Sequence, residues 1–288
     1  MGNALTAARA PAMVSPAVFG HVVCLTGLSP GGAIAEAHAA LLAQASGARL
    51  TMYHASDLDV ACAPRDPIQF DRMRTAAERL ARATLEGAAQ TTGVARARRQ
   101  IVVERQSPTA ATMAAAVRRL GAEIVVMAPH DRGILVRALG FSLTEATVES
   151  LGGAVPVLCA RGEARPYRRI LVPTDFSVGS RRSFRLAARL ASLFGATVTV
   201  LHAVSAPADV DGALASLRRF VPLELSRRAP RLVVEVGDPC AVILSMVKTI
   251  DVDLVILSTG GRDSLGDEML GTHAQRVIRQ APCPVLVS

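Results

Sequence analysis

The sequence predicts an α/β protein made of two tandem open sheets, each with five parallel strands and with helices on both faces. Three observations lead to this prediction. Short apolar runs of Val, Ile and Leu alternate with longer stretches of helical periodicity. The alternation restarts in the second half of the chain, and 288 residues are enough for about two domains that each bury a core. Strands that alternate with helices are expected to be parallel, because each helix carries the chain back across the sheet.

The first predicted domain covers residues 20–162. Residues 1–19 are rich in small residues and contain prolines, so they are expected to form a flexible tail. The strands of this domain are predicted at residues 21–26, 48–54, 100–104, 124–127 and 155–159. Its helices are predicted at residues 33–46, 67–89 and 108–120, with a fourth beginning near residue 142. A charged, proline-containing linker is predicted at residues 163–167.

The second predicted domain covers residues 168–288 and repeats the first. Its strands are predicted at residues 170–174, 197–202, 232–236, 254–257 and 284–287. Its helices are predicted at residues 180–194, 210–219 and 241–248, and after Thr272. AEIVVMA at 122–128 matches VDLVILS at 252–258, so the chain is interpreted as two copies of one unit. The two short last strands need covering and are expected to pair, which would make an intramolecular pseudo-dimer.

Composition and charge argue against several classes of protein. The formal charge of +8 comes mostly from arginines that are dispersed over different segments, which favours a solvated surface over a nucleic-acid site. Only 3% of residues are aromatic, which argues against base stacking. Residues 10–35 lack charged side chains, but prolines and glycines interrupt them repeatedly, so a membrane span is rejected. Five scattered cysteines without a C-x-x-C pair are typical of a reducing, cytoplasmic environment, with neither disulfides nor zinc.

The clearest candidate site begins where the apolar run Leu254–Leu257 stops. Small residues follow at 258–261, and they let backbone N–H groups approach a ligand closely. Gly271 and Thr272 come nine residues later, and Thr272 is predicted to cap a helix. Free amides, a helix dipole and a hydroxyl group together favour an anion, so nucleotide phosphate is the expected ligand. The spacing matches neither a Walker loop nor the dinucleotide fingerprint.

Further segments resemble the universal stress protein family, here as a tandem of two domains. The second half contains ILVPTDFS at 170–177, LHAV at 201–204, GDP at 237–239 and APCPVLV near its end. The family's nucleotide motif is Gly, two residues, Gly, nine residues, Gly, then Ser or Thr; here Ser258 replaces only the first Gly. The resemblance implies strand order 3-2-1-4-5 in each domain, with the ligand at the carboxyl ends of strands 1 and 4.

The resemblance also implies how an ATP-type adenine nucleotide would lie in the second domain. Asp175 maps to the ribose contact, with Pro173 and Thr174 along the wall, and Ala203 maps to the adenine contact. The remaining candidate residues surround the phosphates: Ser258, Gly260, Gly261, Arg262, Gly271 and Thr272. A carboxylate can accept both ribose hydroxyls but repels phosphate, which supports Asp175 at the sugar. A local turn or helix cap is the alternative role for Asp175.

Acidic residues qualify the expectation in both halves. Asp263, Asp267 and Glu268 in the second-domain loop oppose phosphate unless Mg²⁺ bridges them. In the first domain Gly27 stands where Asp175 does, and the motif glycines are replaced by Ala128, Asp131 and Phe141. The first domain is therefore expected not to bind a nucleotide by this route.

The expected function is that of a non-catalytic stress-response regulator, which binds nucleotide and acts through an unidentified protein partner. No catalytic or metal residues are predicted, since no nucleophile elbow, H-E-x-x-H or Cys/His cluster occurs. His54 and His202 end equivalent strands and are expected to share a packing role. Two alternatives remain open: a slow ATP hydrolase that uses Thr272 and Mg²⁺, and a structural pseudo-dimer without nucleotide. Further association of two chains is also left open.

Overall fold

The computed structural model describes residues 18–56, 66–128, 143–259 and 270–288. In these residues ten strands form, and each overlaps its predicted range. The strands of the first half are β1 (His21–Leu25), β2 (Arg49–Ala55), β3 (Arg99–Glu104), β4 (Ile124–Met127) and β5 (Val157–Cys159). Those of the second half are β6 (Arg169–Pro173), β7 (Thr197–Val204), β8 (Arg231–Val236), β9 (Leu254–Leu257) and β10 (Val285–Val287).

Helices connect successive strands. In the first half they are α1 (Pro30–Ser46), α2 (Pro67–Thr91), α3 (Ala110–Leu120) and α4 (Leu143–Leu151). In the second half they are α5 (Val178–Phe194), α6 (Val210–Phe220), the short α7 (Leu223–Ser226), α8 (Pro239–Thr249) and α9 (Thr272–Gln280). Side-chain caps begin α1 and α8, because Ser29 and Asp238 accept the amides of Gly32 and Ala241 at 3.2 Å and 3.0 Å.

The ten strands form one continuous sheet in the order β3-β2-β1-β4-β5-β10-β9-β6-β7-β8. Each half therefore has the strand order 3-2-1-4-5, and all pairs within a half are parallel. The two last strands meet antiparallel, with Leu158 opposite Leu286. The predicted fold and the predicted pairing of the last strands are confirmed. Pairing removes two apolar strand edges that would otherwise present free backbone groups.

The hydrophobic core consists of two layers, one on each face of the sheet. One layer contains Leu42 of α1 and Leu190 of α5, and the other contains Val117 of α3 and Val247 of α8. Each layer includes buried residues from both halves, because the sheet itself is continuous across the junction. The two domains therefore bury part of their apolar surface jointly, which is the main stabilising contribution to such a junction.

A second junction between the halves joins α4 to α9. Arg279 donates from Nε and Nη2 to the two carboxylate oxygens of Glu145, each at 2.8 Å, and the Glu145 side chain is only 3% exposed. Gln275 donates to Glu149 at 3.3 Å. In the internal repeat Glu145 corresponds to Gln275 and Glu149 to Arg279, so the two contacts are related by a pseudo-two-fold axis.

Two segments that were expected outside the domains contribute to the core. Tyr167, placed in the linker, is 1% exposed; its ring stacks on His38 and its hydroxyl group lies 2.8 Å from His38 Nδ1. Val18 and Phe19, placed in the tail, are buried, and Arg189 donates to the Val18 carbonyl and lies over the Phe19 ring. Burial of an aromatic ring explains why both segments belong to the core, since Tyr167 and Phe19 each remove a large apolar area from water. Residues 1–17 of the predicted tail lie outside the described residues.

Candidate functional site

The candidate site lies where the carboxyl ends of β6, β7 and β9 meet. β6 lies between the other two strands, with Pro173 opposite Leu201 and Leu171 opposite Val255. Parallel strands end at the same edge, and the switch in strand order between β6 and β9 opens a crevice there. The edge brings together five of the predicted site residues, which are Pro173, Thr174, Asp175, Ala203 and Ser258.

The turn after β6 is held by side chains from its own residues and from β7. Thr174 is buried, its amide donates to the Leu201 carbonyl at 2.8 Å, and its carbonyl lies 2.7 Å from His202 Nδ1. Phe176 donates its amide to Thr174 Oγ1 at 3.1 Å and has a φ of 65°, which is rare for a bulky residue. Its ring lies 4.3 Å from the His202 ring. The contacts with Thr174 and His202 hold this strained backbone in place.

Asp175 is half-buried at this edge and fixes the start of α5. Its Oδ1 accepts the Ser177 amide at 3.0 Å and the Ser180 hydroxyl at 3.1 Å. These contacts form the local turn that was the alternative role for Asp175. They also orient the carboxylate beside the crevice. Pro173 and Ala203 are likewise half-buried at the same edge, so this part of the described wall places the Asp175 carboxylate among small and apolar groups.

The start of α9 differs by one residue from its prediction. Gly271 is the N-cap, with a ψ of 148°, and Thr272 is the first helical residue. The prediction of Thr272 as the cap is wrong, because the Gly271 carbonyl already accepts the first helical bond, from Gln275 at 3.0 Å. The Gly271 amide donates to Thr259 at 3.1 Å. Among the described residues, the amides of Thr272 and the two residues after it have no partner, as expected for the first turn of a helix.

His273 adds a polar group to this helix start. Its Nδ1 is buried and has no hydrogen-bond partner among the described residues. A buried nitrogen without a partner is costly, so the position favours a group that can exchange a hydrogen bond with it. Gly260, Gly261 and Arg262 lie outside the described residues, and so do Asp263, Asp267 and Glu268.

The first domain forms part of the wall beside Thr259. A Cβ added to Gly153, after the end of α4, would lie 3.1 Å from Thr259 Oγ1. Arg182 of α5 donates to the Gly153 carbonyl, and Thr259 donates its amide to the Ser288 carbonyl at 3.1 Å. Gly153, Arg182 and Thr259 are not among the predicted site residues. No local pattern marks contacts between segments that lie so far apart in the chain.

The equivalent edge of the first domain has the same scaffold but different side chains. His54 Nδ1 lies 2.9 Å from the Thr26 carbonyl, as His202 does from Thr174, so the expected shared packing role is confirmed. In place of Asp175 stands Gly27, and Glu36 of α1 accepts the Thr26 hydroxyl at 2.6 Å. Burial raises the pKa of the Glu36 carboxyl group. Asp131 and Phe141 lie outside the described residues.

The cysteines of the described chain are unsuited to nucleophilic chemistry. Cys24, Cys159, Cys240 and Cys283 are all buried and free. Burial raises the pKa of Cys159 to about 12 and that of Cys283 to about 11, which keeps both thiols protonated at neutral pH. They are therefore small core residues, as the sequence indicates. Cys62 lies outside the described residues.

The fold is that of two doubly wound domains, a class of protein that binds its ligands at the topological switch point of the sheet. The model of the universal stress protein family matches residues 19–161 and 166–288, and the chain belongs to that family. A universal stress protein of Thermus aquaticus is 30% identical over 135 residues, which are 42% of this chain and 98% of that protein. One from Methanocaldococcus jannaschii is 29% identical over 138 residues, covering 42% of this chain and 81% of that protein.

The architecture of the whole chain also has a solved counterpart. The crystal structure of a universal stress protein from Archaeoglobus fulgidus aligns with a TM-score of 0.72 at 16% identity, covering 95% of this chain and 97% of that one. At this identity the likeness concerns the fold alone. In the parts of the chain that the structure describes, each helix falls short of the length and apolar character that crossing a membrane requires.

Proposed function

We propose that this chain is a non-catalytic regulator of the stress response, which binds an ATP-type adenine nucleotide in its second domain only and acts in the cytoplasm through a protein partner. One observation carries the proposal: Asp175 and the N-terminus of α9 converge on one sheet edge. A nucleotide has a neutral diol and anionic phosphates. A carboxylate favours the diol as acceptor, while unpaired amides at a helix start favour the phosphates.

The geometry supports one orientation of the nucleotide. The ribose would lie on Asp175, against Pro173 and Thr174, and the adenine would lie beside Ala203, whose methyl group leaves room for a ring. The phosphates would lie over the first turn of α9, near Thr272. The surrounding phosphate contacts would come from Ser258 and Gly271, and from the undescribed residues Gly260, Gly261 and Arg262. His273 Nδ1 would then gain the partner that it lacks.

The first domain is proposed to lack nucleotide. Its counterpart of Asp175 is Gly27, which offers no acceptor to a ribose. The Glu36 carboxylate lies at the end of β1 and is occupied by the Thr26 hydroxyl. A carboxylate in this position repels phosphate. It also projects from α1 and not from the turn after β1, so it does not replace the ribose contact that Gly27 lacks. One nucleotide per chain is the resulting stoichiometry.

We propose binding without hydrolysis because Thr272, the residue that a hydrolase would use, has no catalytic acid or base beside it among the described residues. The Thr272 side chain is exposed at the first turn of α9, and no acidic or basic group of the described residues contacts it. An efficient proton transfer needs a base within hydrogen-bond reach. Mg²⁺ is proposed as the counter-ion of the nucleotide, and the carboxylates expected to bridge it, Asp263, Asp267 and Glu268, lie outside the described residues.

Gly271 provides a specific test of the nucleotide site. Its φ is −60°, and a Cβ added there would meet none of the described residues within 4 Å. A side chain at this position is therefore compatible with the described fold and would obstruct a ligand that approaches the backbone. We expect Gly271→Val to weaken ATP binding at least about tenfold, which is roughly 1.4 kcal/mol, in titration calorimetry with Mg²⁺. Gly212→Val is the matched control, since Gly212, at the exposed start of α6, also has no described neighbour within 4 Å.

The outcomes separate the proposed function from its alternatives. Wild-type protein that binds no ATP at millimolar concentration would support the structural pseudo-dimer instead. Binding accompanied by steady release of inorganic phosphate would support the slow hydrolase. If wild-type protein binds ATP and Gly271→Val binds it equally well, the phosphates do not lie at the start of α9.

A further inference from the structure

The helix α2 exposes most of its surface. It spans 25 residues, whereas its counterpart α6 in the second domain spans 11. The buried residues of α2 are Ala81, Leu85 and Ala89, one narrow line at four-residue steps. A helix in a globular protein normally gains its stability from packing one broad apolar face. Most of α2 therefore lacks the packing that its length would lead one to expect.

A second apolar line runs along the other side of α2. Leu80 is 70% exposed and Met73 is 43% exposed, and Ala76, Ala83 and Gly87 are exposed with them. These five residues alternate in steps of three and four, which is the spacing of the contact line in a two-helix coiled coil. At 100° per residue, the line lies about 160° around the helix from the buried one. The surface is thus patterned for a partner helix.

The charged side chains along one side of this line make no ion pairs within the described chain. Arg72, Arg79 and Glu86 follow one another at seven-residue steps along one side of it, all exposed. None of them makes an ion pair or a hydrogen bond with another described residue. The acidic residues on the far side are engaged differently, since Arg105 holds Glu78 at 2.8 Å and Asp71 at 3.5 Å. The free row therefore presents two positive charges followed by one negative charge.

We propose that α2 is the surface through which two copies of this chain associate, with their α2 helices antiparallel. In an antiparallel pair this charged row faces the same row of the other copy. Packing Leu80 against Ala83 of the second copy then places Arg79 opposite Glu86 of the second copy, twice by symmetry. In a parallel pair the row would face Ala77 and Thr84, which carry no charge. The charge pattern therefore favours a second copy of this chain as the partner, with its α2 helix antiparallel to the first.

The small residues of the line set the expected strength of the contact. Ala76, Ala83 and Gly87 allow the two backbones to approach closely, while Leu80 and Met73 supply the apolar area. One helix from each copy buries less than the roughly 1,600 Å² of a standard stable interface. We therefore expect a reversible dimer with a dissociation constant on the order of 10 µM.

Sedimentation of the full chain from low to high micromolar concentration tests the proposal. The wild-type chain should dimerise, and Leu80→Glu should weaken dimerisation at least about tenfold, because it puts charge into the contact line. Val178→Glu is the control: Val178 is 85% exposed at the start of α5, and its replacement should leave the dimer unchanged. Circular dichroism of each variant shows whether the helices are retained.

Charge reversal tests the direction of the helices. Arg79→Glu should weaken the dimer at least about tenfold by placing two carboxylates face to face, and adding Glu86→Arg to the same chain should restore it. A wild-type chain that stays monomeric throughout, or a Leu80→Glu variant that still dimerises, would overturn the proposal. Failure of the double variant to recover would refute the antiparallel register. None of these measurements depends on nucleotide binding.

Discussion

The ends of β1 and β6 show how the two domains have diverged on one scaffold. At both positions a threonine carbonyl is held by a histidine near the end of the neighbouring strand, at 2.9 Å in the first domain and 2.7 Å in the second. Both turns also place a large residue at positive φ, Leu28 at 52° and Phe176 at 65°. The residue between the threonine and the large residue differs, since it is Gly27 in the first domain and Asp175 in the second.

This difference separates what the fold needs from what a ligand needs. The histidine-to-carbonyl bond and the strained turn occur in both domains, so they belong to the scaffold. The Asp175 carboxylate occurs in one domain only, at the edge where β6 ends, so it is the better candidate for function. In the first domain Glu36 fills the corresponding region with a carboxylate held by Thr26.

The junction between α4 and α9 shows the same divergence with a structural purpose. The first domain supplies Glu145 and Glu149, and the second supplies Gln275 and Arg279 at the equivalent positions. Two copies of the first domain paired in this way would bring carboxylates together. The divergence therefore favours pairing between unlike domains and disfavours pairing between like ones.

Removing Arg279 should have the largest effect on stability. Arg279→Met leaves the buried Glu145 carboxylate without its two-bond partner, and we expect a loss of about 2 kcal/mol, below the full cost of breaking a buried pair because Arg279 is half exposed. Urea unfolding measures the change. Arg276→Met is the matched control, since its pair with Asp238 is long and exposed and should contribute less than about 1 kcal/mol. Equal losses would show that the junction does not depend on this pair.

Replacing Asp175 should have the largest effect on ligand binding. We expect Asp175→Ala to weaken ATP binding at least about tenfold, because the ribose loses a charged acceptor. Asp175→Asn keeps an oxygen for the Ser177 amide, so it separates loss of the turn from loss of the charge. Glu36→Gln, at the first-domain edge, should leave binding unchanged in the same calorimetric titration. An effect of Glu36→Gln equal to that of Asp175→Ala would place the ligand between both domains or in the first.

Lowering the pH should destabilise the chain through two histidines of the first domain, and this effect should be smaller than that of Arg279→Met. Burial lowers the pKa of His38 and of His21 below their ordinary value of 6.5. The folded-state pKa then lies below the unfolded one, so the unfolded chain takes up protons first as the pH falls. Stability is fully present above about pH 6.5 and is lost below it, by at most about 1.4 kcal/mol per pH unit for each group.

The slope of the free energy of unfolding against pH tests this expectation. His38→Gln should flatten the slope between pH 7 and pH 5, because a glutamine does not titrate. His21→Gln, at the start of β1, should flatten it in the same direction. A slope that His38→Gln leaves unchanged would assign the acid sensitivity to other groups.

Several features of the site could be predicted because they are local in the sequence. The apolar run of β9 and its small-residue end identify one side of the crevice, and ILVPTD identifies the other. The position of the helix start was wrong by one residue, because the choice between Gly271 and Thr272 as cap depends on which carbonyl accepts Gln275. The half-buried environment of His273 could not be predicted either, since burial depends on neighbours that are distant in sequence.

By itself the sequence determined the order of strands and helices, the internal repeat and the pairing of the two last strands, because these follow from periodicity and from apolar edges that need covering. The tertiary structure alone decided that Tyr167 packs on His38, that Arg279 reaches Glu145, and that Gly153 lies beside Thr259. Each of these contacts joins residues from different halves or from the segment between them. Such contacts depend on how two domains are placed in space, and no local pattern of residues encodes that placement.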